Sequence, residues 1–578
     1  ADKTDRSAML WNTPNINNKV LSLAQNPEMI DNYKATAKSS SAYDLLVITK
    51  EQFIPEFDEY LNFYDSIGLR SRIVSLESIY NEMTGVDQQE KIRNYIIREY
   101  QDNGIMMVLL GGDVQHFPYR GFYCVVQSSS VYEDSGIPAD LYFAALDGTW
   151  NDNNNDKWGE IGEEDLLPEI GIARMPFNTT EELHNMINKT IKYQRSPVLG
   201  ELRNVIMGAE WLYDNPQTYG SGYLELLIGE HDDNGYTTIG MPEDLNFTRL
   251  YEEEGNWSGN NLIEAINQGS QYVHHVGHAN ETYVAGWDYN QISSSIFSNV
   301  NGVDHNYTFF HSHGCMCASF DVTSILEAMV TIPNFCVSVI GNSRYGWFNE
   351  GQTEGPSAHL HREMTDAYFN DRIPYIGNAM TDGKCQTAPW VNAPGQWEEG
   401  ALRWNFYDLN ILGDVAVSPW LDEPFTPTVE YNQEILVGMS STVVNAYNDN
   451  NPQKGFRCSL FNGDELLGVA LTDENGEAEI TMNSPINTVG TLTLIVTGLN
   501  AYPQIFQMTS IPNNSAYVVY YDYSLNDDNG KMDFGETTSF NMTLRNAGMI
   551  DANNVIATLS CNSEYVTIMD SQTEVGTI

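Results

Sequence analysis

Residues 271–279, QYVHHVGHA, and residues 311–317, HSHGCMC, are the stretches that decide the predicted fold. Each is joined to a short apolar run that predicts a buried strand, and each then changes to small residues that expose the next side chain. If the two strands are parallel neighbours, His278 and Cys315 lie together at one edge of a sheet. A cysteine thiolate attacks carbonyl carbons while a nearby imidazole takes and returns the proton. The pattern therefore predicts a cysteine nucleophile with a histidine partner.

The composition indicates a folded, acidic protein of several domains. The chain has 578 residues, and its 28 basic and 78 acidic side chains leave a net charge of −50. Such a charge disfavours nucleic acid and anionic membrane surfaces as partners, and it suits an extracellular protein, calcium binding or solubility alone. No run of about 18 apolar residues occurs, so no membrane insertion is predicted. The seven cysteines have no disulfide-framework spacing, and their odd number leaves at least one without a partner in the chain.

The order of the predicted elements indicates an α/β protein followed by β domains. Alternating strands and helices in residues 41–200 and 201–421 predict two catalytic subdomains with a parallel sheet covered by helices on both faces. From there the pattern changes to short strands with turns, which predicts an immunoglobulin-like β-sandwich over residues 422–512. Residues 513–578 predict a partial β-sandwich domain, and we expect the chain to be a fragment of a longer protein. The polar residues 1–40 are predicted to form a lead segment.

Two acidic, asparagine-rich loops are candidates for structural calcium. Oxygen-bearing side chains at alternating positions, followed by a carboxylate, can surround a hard cation, although neither loop is a full EF-hand. A solvated polar turn is the alternative interpretation. The Gly-Gly-Asp sequence at residues 111–113 is too short for a nucleotide-binding fingerprint, and no organic cofactor is predicted. The candidate calcium ligands are Asp152, Asn154, Asp156 and Glu160 in the first loop and Asn526, Asp528, Asp533 and Glu536 in the second.

The two histidine and cysteine motifs resemble those of a known peptidase family. Residues 276–282, VGHANET, and residues 314–321, GCMCASFD, are similar to the catalytic core of the gingipain-type cysteine peptidases, family C25 of the caspase-like clan. In that family the histidine sits in a Gly-His-Gly turn and the cysteine opens a Cys-x-x-Gly-x-Phe run. Alanine replaces the second glycine of the turn and the glycine of the run here. The resemblance implies a gingipain-like fold, His278 as the catalytic histidine, Cys315 as the nucleophile and structural calcium.

The resemblance also implies roles for residues near these motifs. A glutamate at the tip of an Ala-Glu strand lies near the catalytic histidine in the family, which gives Glu210 the role of orienting His278. A surface glutamate at a strand end is the alternative. The N–H groups of Cys315 and Ala279 are expected to stabilise the oxyanion, since alanine keeps the N–H that the family's glycine provides. Trp347 corresponds to a tryptophan that lines the substrate cleft.

The expected substrate is a protein or peptide cleaved after a basic P1 residue, Lys rather than Arg. In the lysine-specific gingipain an acid three positions after the cleft tryptophan receives the basic side chain, and Glu350 has that position here. The acid that reads arginine in the arginine-specific gingipains falls near Ser221 and Gly222, where the sequence has no carboxylate. The family further implies secretion or cell-surface location in a Gram-negative bacterium, and a propeptide or upstream inhibitory segment as a partner. The alternative interpretation of Glu350 is a loop cap.

Other functions stay open at the level of sequence. His311, His313, Cys315 and Cys317 would face one way on a strand and could hold zinc or copper, although four ligands on one strand make a poor tetrahedron. A sortase-like transpeptidase or a catalytically inactive adhesin of the same fold is the other alternative, because transfer and hydrolysis pass through the same acyl-enzyme. Cys317 is a second candidate nucleophile, but the spacing to the Phe-Asp pair that follows favours Cys315.

Overall fold

The computed structural model describes residues 42–394, 397–526, 532, 534–561, 563 and 565–578. These residues form two compact units, which we call the α/β unit (residues 42–425 and 498–502) and the β unit (residues 426–497 and 503–578). The predicted lead segment lies outside the described residues, as do the candidate calcium ligands Asp528 and Asp533. No helix in the described part of the chain is long and apolar enough to span a membrane.

A ten-stranded sheet forms the centre of the α/β unit. Its strands, numbered in chain order, are β1 (Leu45–Thr49), β2 (Ser71–Ser75), β3 (Met107–Gly111), β4 (Gly171–Met175), β5 (Asn204–Ala209), β6 (Asn246–Tyr251), β7 (Tyr272–Val276), β8 (Thr308–Ser312), β9 (Cys336–Asn342) and β10 (Leu409–Gly413). Their spatial order is β6-β5-β7-β8-β9-β10-β4-β3-β1-β2. Within this described sheet every pair of neighbours is parallel except β9 and β10. The predicted α/β fold is confirmed, and the strands of both predicted subdomains join in one continuous sheet.

The central strands are buried along their whole length, which explains their nearly continuous apolar sequences. Strands β1, β3, β7 and β8 are buried at every position. Such strands are typical of parallel sheets with both faces covered. The histidines of β7 and β8 are buried too. Because an unpaired polar group inside a protein is costly, these rings need partners.

Helices join the strands and pack on the sheet. They are α1 (Asp58–Ser66), α2 (Leu76–Glu82), α3 (Gln88–Asn103), α4 (Thr180–Arg195), α5 (Ser221–Glu225), α6 (Gly259–Ile266), α7 (Ile325–Thr331), α8 (Pro356–Phe369), α9 (Ile376–Val391) and α10 (Ala401–Asp408), with 3₁₀ turns at Glu51–Phe57, Asp140–Phe143, Glu252–Glu254 and Tyr289–Gln291. Helix α4 begins at a capping box formed by Thr179 and Glu182. Short strand pairs flank the main sheet: Arg120–Gln127 with Val131–Ala139, Trp211–Asp214 with Gln217–Tyr219, Glu230–Asp233 with Tyr236–Ile239, and the three-stranded set Ala279–Asn280, Tyr283–Val284 and Trp287–Asp288.

Two sheets form the core of the β unit, as predicted for a sandwich. Its strands are β11 (Thr428–Tyr431), β12 (Glu434–Leu436), β13 (Ser441–Asn448), β14 (Asn451–Pro452), β15 (Arg457–Asn462), β16 (Glu465–Leu471), β17 (Glu477–Thr481), β18 (Gly490–Thr497) and β19 (Gln504–Ile511). One sheet contains β11, β13, β14 and β17, and the other has the order β12-β19-β18-β15-β16. Alternating side chains from both sheets, such as Val444, Leu460 and Leu494, are buried. This alternation is typical of packed sheets.

The turn at residues 473–476, DENG, forms where the sequence predicts it, with Gly476 at a φ of +76°. The pattern predicts a hairpin, and that prediction is wrong. Strand β16 pairs with β15, whereas β17 pairs with β13, so the turn crosses between the two sheets. Local turn chemistry favours a reversal of the chain but does not choose the strand's partner.

Beyond β19 the described chain forms two separate antiparallel strand pairs. Strand β20 (Val518–Leu525) pairs with β21 (Phe540–Asn546), and β22 (Val555–Thr558) pairs with β23 (Gln572–Gly576). Most residues of these strands are exposed. The predicted β character of residues 513–578 is therefore seen, while the partial sandwich stays a prediction.

Candidate active site

The ends of β5, β7 and β8 bring the predicted catalytic residues to one edge of the sheet. Strand β7 lies between the other two and is parallel to both, with Val276 opposite Ala209 and His275 opposite Ser312. The chain therefore leaves all three strands on the same side. The acid, the histidine and the cysteine of the predicted site follow directly after these ends.

The histidine loop and the cysteine loop touch through Ala279 and Gly314. A Cβ atom on Gly314 would lie 2.5 Å from the Cβ of Ala279 and 3.4 Å from the carbonyl oxygen of Gly277. These residues are the chain neighbours of His278 and Cys315. Glycine is required at position 314 because any side chain there would push the two loops apart.

The two thiols of the cysteine loop differ in exposure. Cys315 is partly exposed, and its Sγ lies 3.7 Å from the carbonyl oxygen of Gly346. Cys317 is buried and donates to the carbonyl oxygen of Gly314 at 3.5 Å. The surrounding protein solvates a thiolate poorly, which raises the pKa of Cys315 to about 11 and that of Cys317 to about 12. Cys315 is thus a neutral thiol at pH 7 that needs a base when it attacks.

Glu210 contacts the main chain of His278 rather than its ring. One carboxylate oxygen accepts a hydrogen bond from the His278 N–H at 3.0 Å, and the other lies 3.2 Å from Nε2 of His275. The His278 ring is exposed, and its Nε2 lies 3.1 Å from the carbonyl oxygen of Leu212. The expected contact between Glu210 and the His278 imidazole is not the one observed, because the turn at Gly277 presents the N–H to the carboxylate. Glu210 positions the histidine through its backbone.

A buried chain of hydrogen bonds joins the two loops, and sequence reasoning missed its central member, His275. Its Nδ1 lies 2.9 Å from Oγ of Ser312, which also accepts a hydrogen bond from the Gly314 N–H at 3.0 Å. An ionised Glu210 carboxylate can only accept, so His275 donates to it from Nε2, and in that tautomer Nδ1 accepts from the Ser312 hydroxyl. The signal that could have found His275 is a titratable ring inside an otherwise apolar strand, which must have a polar partner.

The end of β9 supports the cysteine loop from its other side. The Asn342 side-chain amide donates to the carbonyl oxygens of His313 and Gly314 at 3.0 and 3.2 Å. Arg344 forms ion pairs with Asp321 at 2.7 Å and with Asp134 at 2.8 Å, and these link the end of the cysteine motif to the 120–139 hairpin. Charge-assisted hydrogen bonds of this kind are stronger than neutral ones. Asn342 and Arg344 are therefore positioning residues that the sequence analysis did not identify.

Trp347 and Glu350 lie on the loop after β9, and this loop starts beside the nucleophile. Gly346, whose carbonyl oxygen contacts the Cys315 sulfur, directly precedes Trp347. The Trp347 ring packs edge-to-face against Tyr132, with 5.2 Å between ring centroids. Glu350 is exposed. The residue before the predicted cleft tryptophan thus contacts Cys315, and the Glu350 carboxylate is exposed on the same loop.

A second acid lies close to Ser221, where the sequence shows no carboxylate. The Ser221 hydroxyl donates to Glu253 at 2.8 Å. A Cβ on the adjacent Gly222 would lie 2.8 Å from the Thr353 side chain, so the start of α5 packs against the chain that follows Glu350. Sequence reasoning missed Glu253 because it is 32 residues from Ser221 along the chain.

The first candidate calcium loop is held by hydrogen bonds among its own side chains. Glu160 accepts from the side-chain amides of Asn153 and Asn155 at 2.9 and 2.6 Å. Among the described residues, the carboxylates of Asp152, Asp156 and Glu160 are not gathered at one point as metal ligands would be. The side-chain oxygens of Asn153 and Asn155 accept hydrogen bonds from the main-chain N–H groups of Asn155 and Lys157 at 2.9 and 2.6 Å.

The second candidate loop is described only in part. Of its four predicted ligands, Asn526 and Glu536 lie within the described residues, and the Asn526 N–H donates to the carbonyl oxygen of Ser539 at 3.0 Å.

The alternative ligand set of His311, His313, Cys315 and Cys317 is not gathered at one point among the described residues. Strand β8 ends at Ser312, so the four residues do not alternate along one strand. The two cysteines point to Gly346 and Gly314, as described above. The two histidines instead lie beside helix α8, which enters from far along the chain.

The sequence profile named Peptidase family C25 matches residues 38–420. The chain belongs to this family. The resemblance stated from the two motifs is confirmed. The matched residues, 38–420, include the whole candidate site. The chain is 23% identical over 393 residues to Lys-gingipain of Porphyromonas gingivalis. This alignment covers 64% of this chain and 20% of that relative.

Further C25 relatives extend the similarity into the β unit. Gingipain R2 of Porphyromonas gingivalis is 20% identical over 505 residues, which cover 81% of this chain and 58% of the relative. The crystal structure of the Arg-specific cysteine proteinase gingipain R has the same fold, with a TM-score of 0.59 and 18% identity; the match covers 83% of this chain and 100% of that one. The complex of the Porphyromonas gingivalis RgpB pro- and mature domains matches equally well, with a TM-score of 0.59. The chain spans only 20% of the length of the Lys-gingipains.

Proposed function

We propose that the protein is a cysteine endopeptidase in which Cys315 attacks the scissile carbonyl. The observation that carries this proposal is the contact between Gly314 and Ala279, which holds the nucleophile's loop against the histidine's loop. Membership of family C25 supports it. Cys315 is also the more exposed of the two thiols in its motif.

The chemistry follows from the states of these side chains. The Cys315 thiol is neutral, so His278 acts as general base when the sulfur attacks and then protonates the leaving amine. Its exposed ring is free to turn toward a bound substrate. The N–H groups of Cys315 and Ala279 stabilise the oxyanion, which contributes about 3 kcal/mol for each well-aimed donor. Hydrolysis of the thioester by water completes the cycle.

The buried chain of hydrogen bonds positions the loops that carry His278 and Cys315. Glu210 holds the His278 main chain, and His275 and Ser312 connect that carboxylate to Gly314. A misplacement of about 1 Å can cost a factor of about 100 in rate. The network therefore keeps the His278 loop and the Cys315 loop at a fixed distance and orientation.

We further propose a basic P1 residue, with Lys favoured over Arg. Glu350 supports this choice because its carboxylate is exposed on the loop that starts beside Cys315. Glu253, hydrogen-bonded to Ser221, is a second acid that could receive a longer guanidinium group. An exposed carboxylate discriminates between the two cations by reach and geometry rather than by charge.

Calcium, an inhibitory segment and secretion complete the proposal. Calcium would hold the 152–160 loop through side-chain oxygens of Asp152, Asn154, Asp156 and Glu160, with no part in the reaction. The complex of RgpB pro- and mature domains supports a propeptide as a partner. Similarity to gingipains of Porphyromonas gingivalis supports secretion or cell-surface location in a Gram-negative bacterium.

The test is amidolysis of paired peptides that differ only in a P1 Lys, Arg or Ala, with and without Ca²⁺. We expect Cys315→Ala to abolish turnover and Cys317→Ala, the matched control, to keep it. Glu350→Gln should lower kcat/KM for the Lys peptide by more than about tenfold, and Glu253→Gln should affect the Arg peptide more. Full activity of Cys315→Ala would refute the nucleophile. Equal turnover of the Ala and Lys peptides would refute the P1 assignment alone.

A further inference from the structure

Three buried histidines from distant parts of the chain converge below the cysteine loop. His274 lies on β7, His313 follows the end of β8, and His361 lies on α8. One ring nitrogen from each falls within 4.8 Å of the other two. All three residues are buried. Among the described residues, no other group of three or more His, Cys, Asp or Glu side chains meets at such a point.

Four ring nitrogens in and beside this cluster have no hydrogen-bond partner among the described residues. In the described structure Nδ1 of His274 and the Nε2 atoms of His311, His313 and His361 are buried without a hydrogen bond. Each such atom costs about 1–3 kcal/mol when it has no partner. The Nε2 of His274 and Nδ1 of His361 lie 3.2 Å apart, and one shared proton satisfies only those two atoms. Hydrogen bonds within the protein therefore do not account for the cluster.

The three side chains of the cluster all offer imidazole nitrogens, which bind metals through a ring lone pair. Buried carboxylates are absent from the group as described, so the ligand set is imidazole alone.

We propose that His274, His313 and His361 form a binding site for a divalent transition-metal ion, with Zn²⁺ as the representative ion. Imidazole nitrogen is a preferred ligand of zinc, copper and nickel. Two nitrogens that are each about 2.05 Å from a tetrahedral zinc ion are about 3.4 Å apart. The 3.2 Å between Nε2 of His274 and Nδ1 of His361 is close to that length. The His313 ring stacks on that of His361, with 3.8 Å between centroids, so it must turn out of this stack for its nitrogen to point at the ion.

The surroundings supply a second shell for such an ion. The ring of His311 lies 5.2 Å from that of His274, between centroids, and its Nδ1 contacts the hydroxyl of Tyr272. The Nε2 of His311 is buried without a hydrogen bond, but this ring is outside the group of three whose nitrogens lie within 4.8 Å of one another. Partners of this kind orient metal-binding rings. The site thus has three first ligands and a fourth polar group nearby.

The site would be structural and close to the chemistry. His313 is two residues before Cys315, and α8 continues from the loop that carries Trp347 and Glu350. An ion held by the three rings would tie α8 to β7 and to the cysteine loop. It would thereby fix the cleft loop relative to the nucleophile without contact with the substrate.

The experiment uses the full chain with Cys315→Ala and His278→Ala in place, because the exposed thiol and imidazole could bind zinc themselves. We expect this protein to bind one equivalent of Zn²⁺ in equilibrium dialysis and to give a tetrahedral Co²⁺ absorption spectrum. Adding His361→Asn should weaken Zn²⁺ binding by more than about 100-fold. Loss of a residue that binds the metal directly lowers the affinity more than loss of a residue that only orients a ligand. His184→Asn, an exposed histidine near Glu56, is the matched control and should bind as before.

Two results would overturn the proposal. The first is that the protein with Cys315→Ala and His278→Ala binds neither Zn²⁺ nor Co²⁺ stoichiometrically. This result needs no further variant to be decisive. The other is unchanged affinity and spectrum after His361→Asn. Circular dichroism and the thermal midpoint show whether that variant folds, and His274→Asn provides an independent removal of one ligand. Because the site is defined apart from turnover, its failure would leave the proposed peptidase activity untouched.

Discussion

At the scale of single residues, the candidate site depends on glycines at two positions of close contact. Gly277 packs against Glu210, since a Cβ there would lie 2.5 Å from the Glu210 carboxyl carbon. Gly314 packs against Ala279 in the same way. The family's glycine after the histidine is thus replaced by alanine here because Gly314 leaves room for one methyl group. One of the two positions must stay small for the loops to meet.

Gly314→Ala should therefore separate the loops and slow turnover. The new Cβ would lie 2.5 Å from that of Ala279, far inside contact distance. We expect kcat to fall by more than about tenfold, because overpacking moves backbone and misplaces the reacting groups. The double variant Gly314→Ala with Ala279→Gly removes that clash and should recover part of the loss.

A double-mutant cycle on kcat/KM measures the coupling between the two positions. Additive losses would show that the contact between the loops does not limit activity. Ala279→Gly alone is the control and should have a small effect, since it keeps the N–H at that position.

At the scale of elements, a buried ion pair holds the end of β4. The Arg174 guanidinium binds Asp140 with two hydrogen bonds of 2.9 and 2.5 Å, and it donates to the carbonyl oxygens of Gly112 and Phe117. Both charged side chains are buried. This bidentate pair joins β3, β4 and the 140–143 turn. The same guanidinium lies 4.7 Å from the ring centroid of Phe320, in the cysteine motif.

Arg174→Met should destabilise the α/β unit by about 3–5 kcal/mol, because it leaves the Asp140 carboxylate buried and unpaired. Thermal and urea unfolding of the full chain measure this change. Arg174→Met with Asp140→Leu should recover much of the loss, since a matched apolar pair replaces both charges. The control is Lys157→Met, which removes an exposed pair with Glu133 and should cost less than about 1 kcal/mol. Equal effects of the two single variants would contradict this account.

At the scale of the whole molecule, the large net negative charge affects both substrate attraction and stability. A net charge of −50 creates a negative field around the protein. Such a field attracts cationic substrates and repels anionic ones, and it strains the folded state through self-repulsion. Salt screens both effects, with a Debye length of about 10 Å at 0.1 M.

Raising NaCl from about 0.05 to 0.5 M should therefore lower kcat/KM for a cationic peptide by more than about threefold. A peptide with the same P1 residue but acidic flanks should be cleaved faster under the same change. The thermal midpoint of the protein should rise as repulsion is screened. Identical salt responses of the two peptides would show that the field does not steer the substrate.

The sequence predicted those parts of the molecule that depend on local pattern. Apolar runs identified the buried strands, and small residues after them placed His278 and Cys315 at strand ends. Alternation predicted the β unit, although the turn at residues 473–476 joins different sheets. The lead segment and two calcium ligands lie outside the described residues and stay predictions.

Only the tertiary structure decided which long-range partners each side chain takes. His274 and His275 are neighbours on β7 and face opposite sides of the sheet, as the period of a strand requires. That period does not show that His275 meets Glu210, 65 residues away, or that His274 meets His361, 87 residues away. It also did not show that Glu253 reaches Ser221. Local sequence determines the direction in which a side chain points, and the path of the chain determines what it finds there.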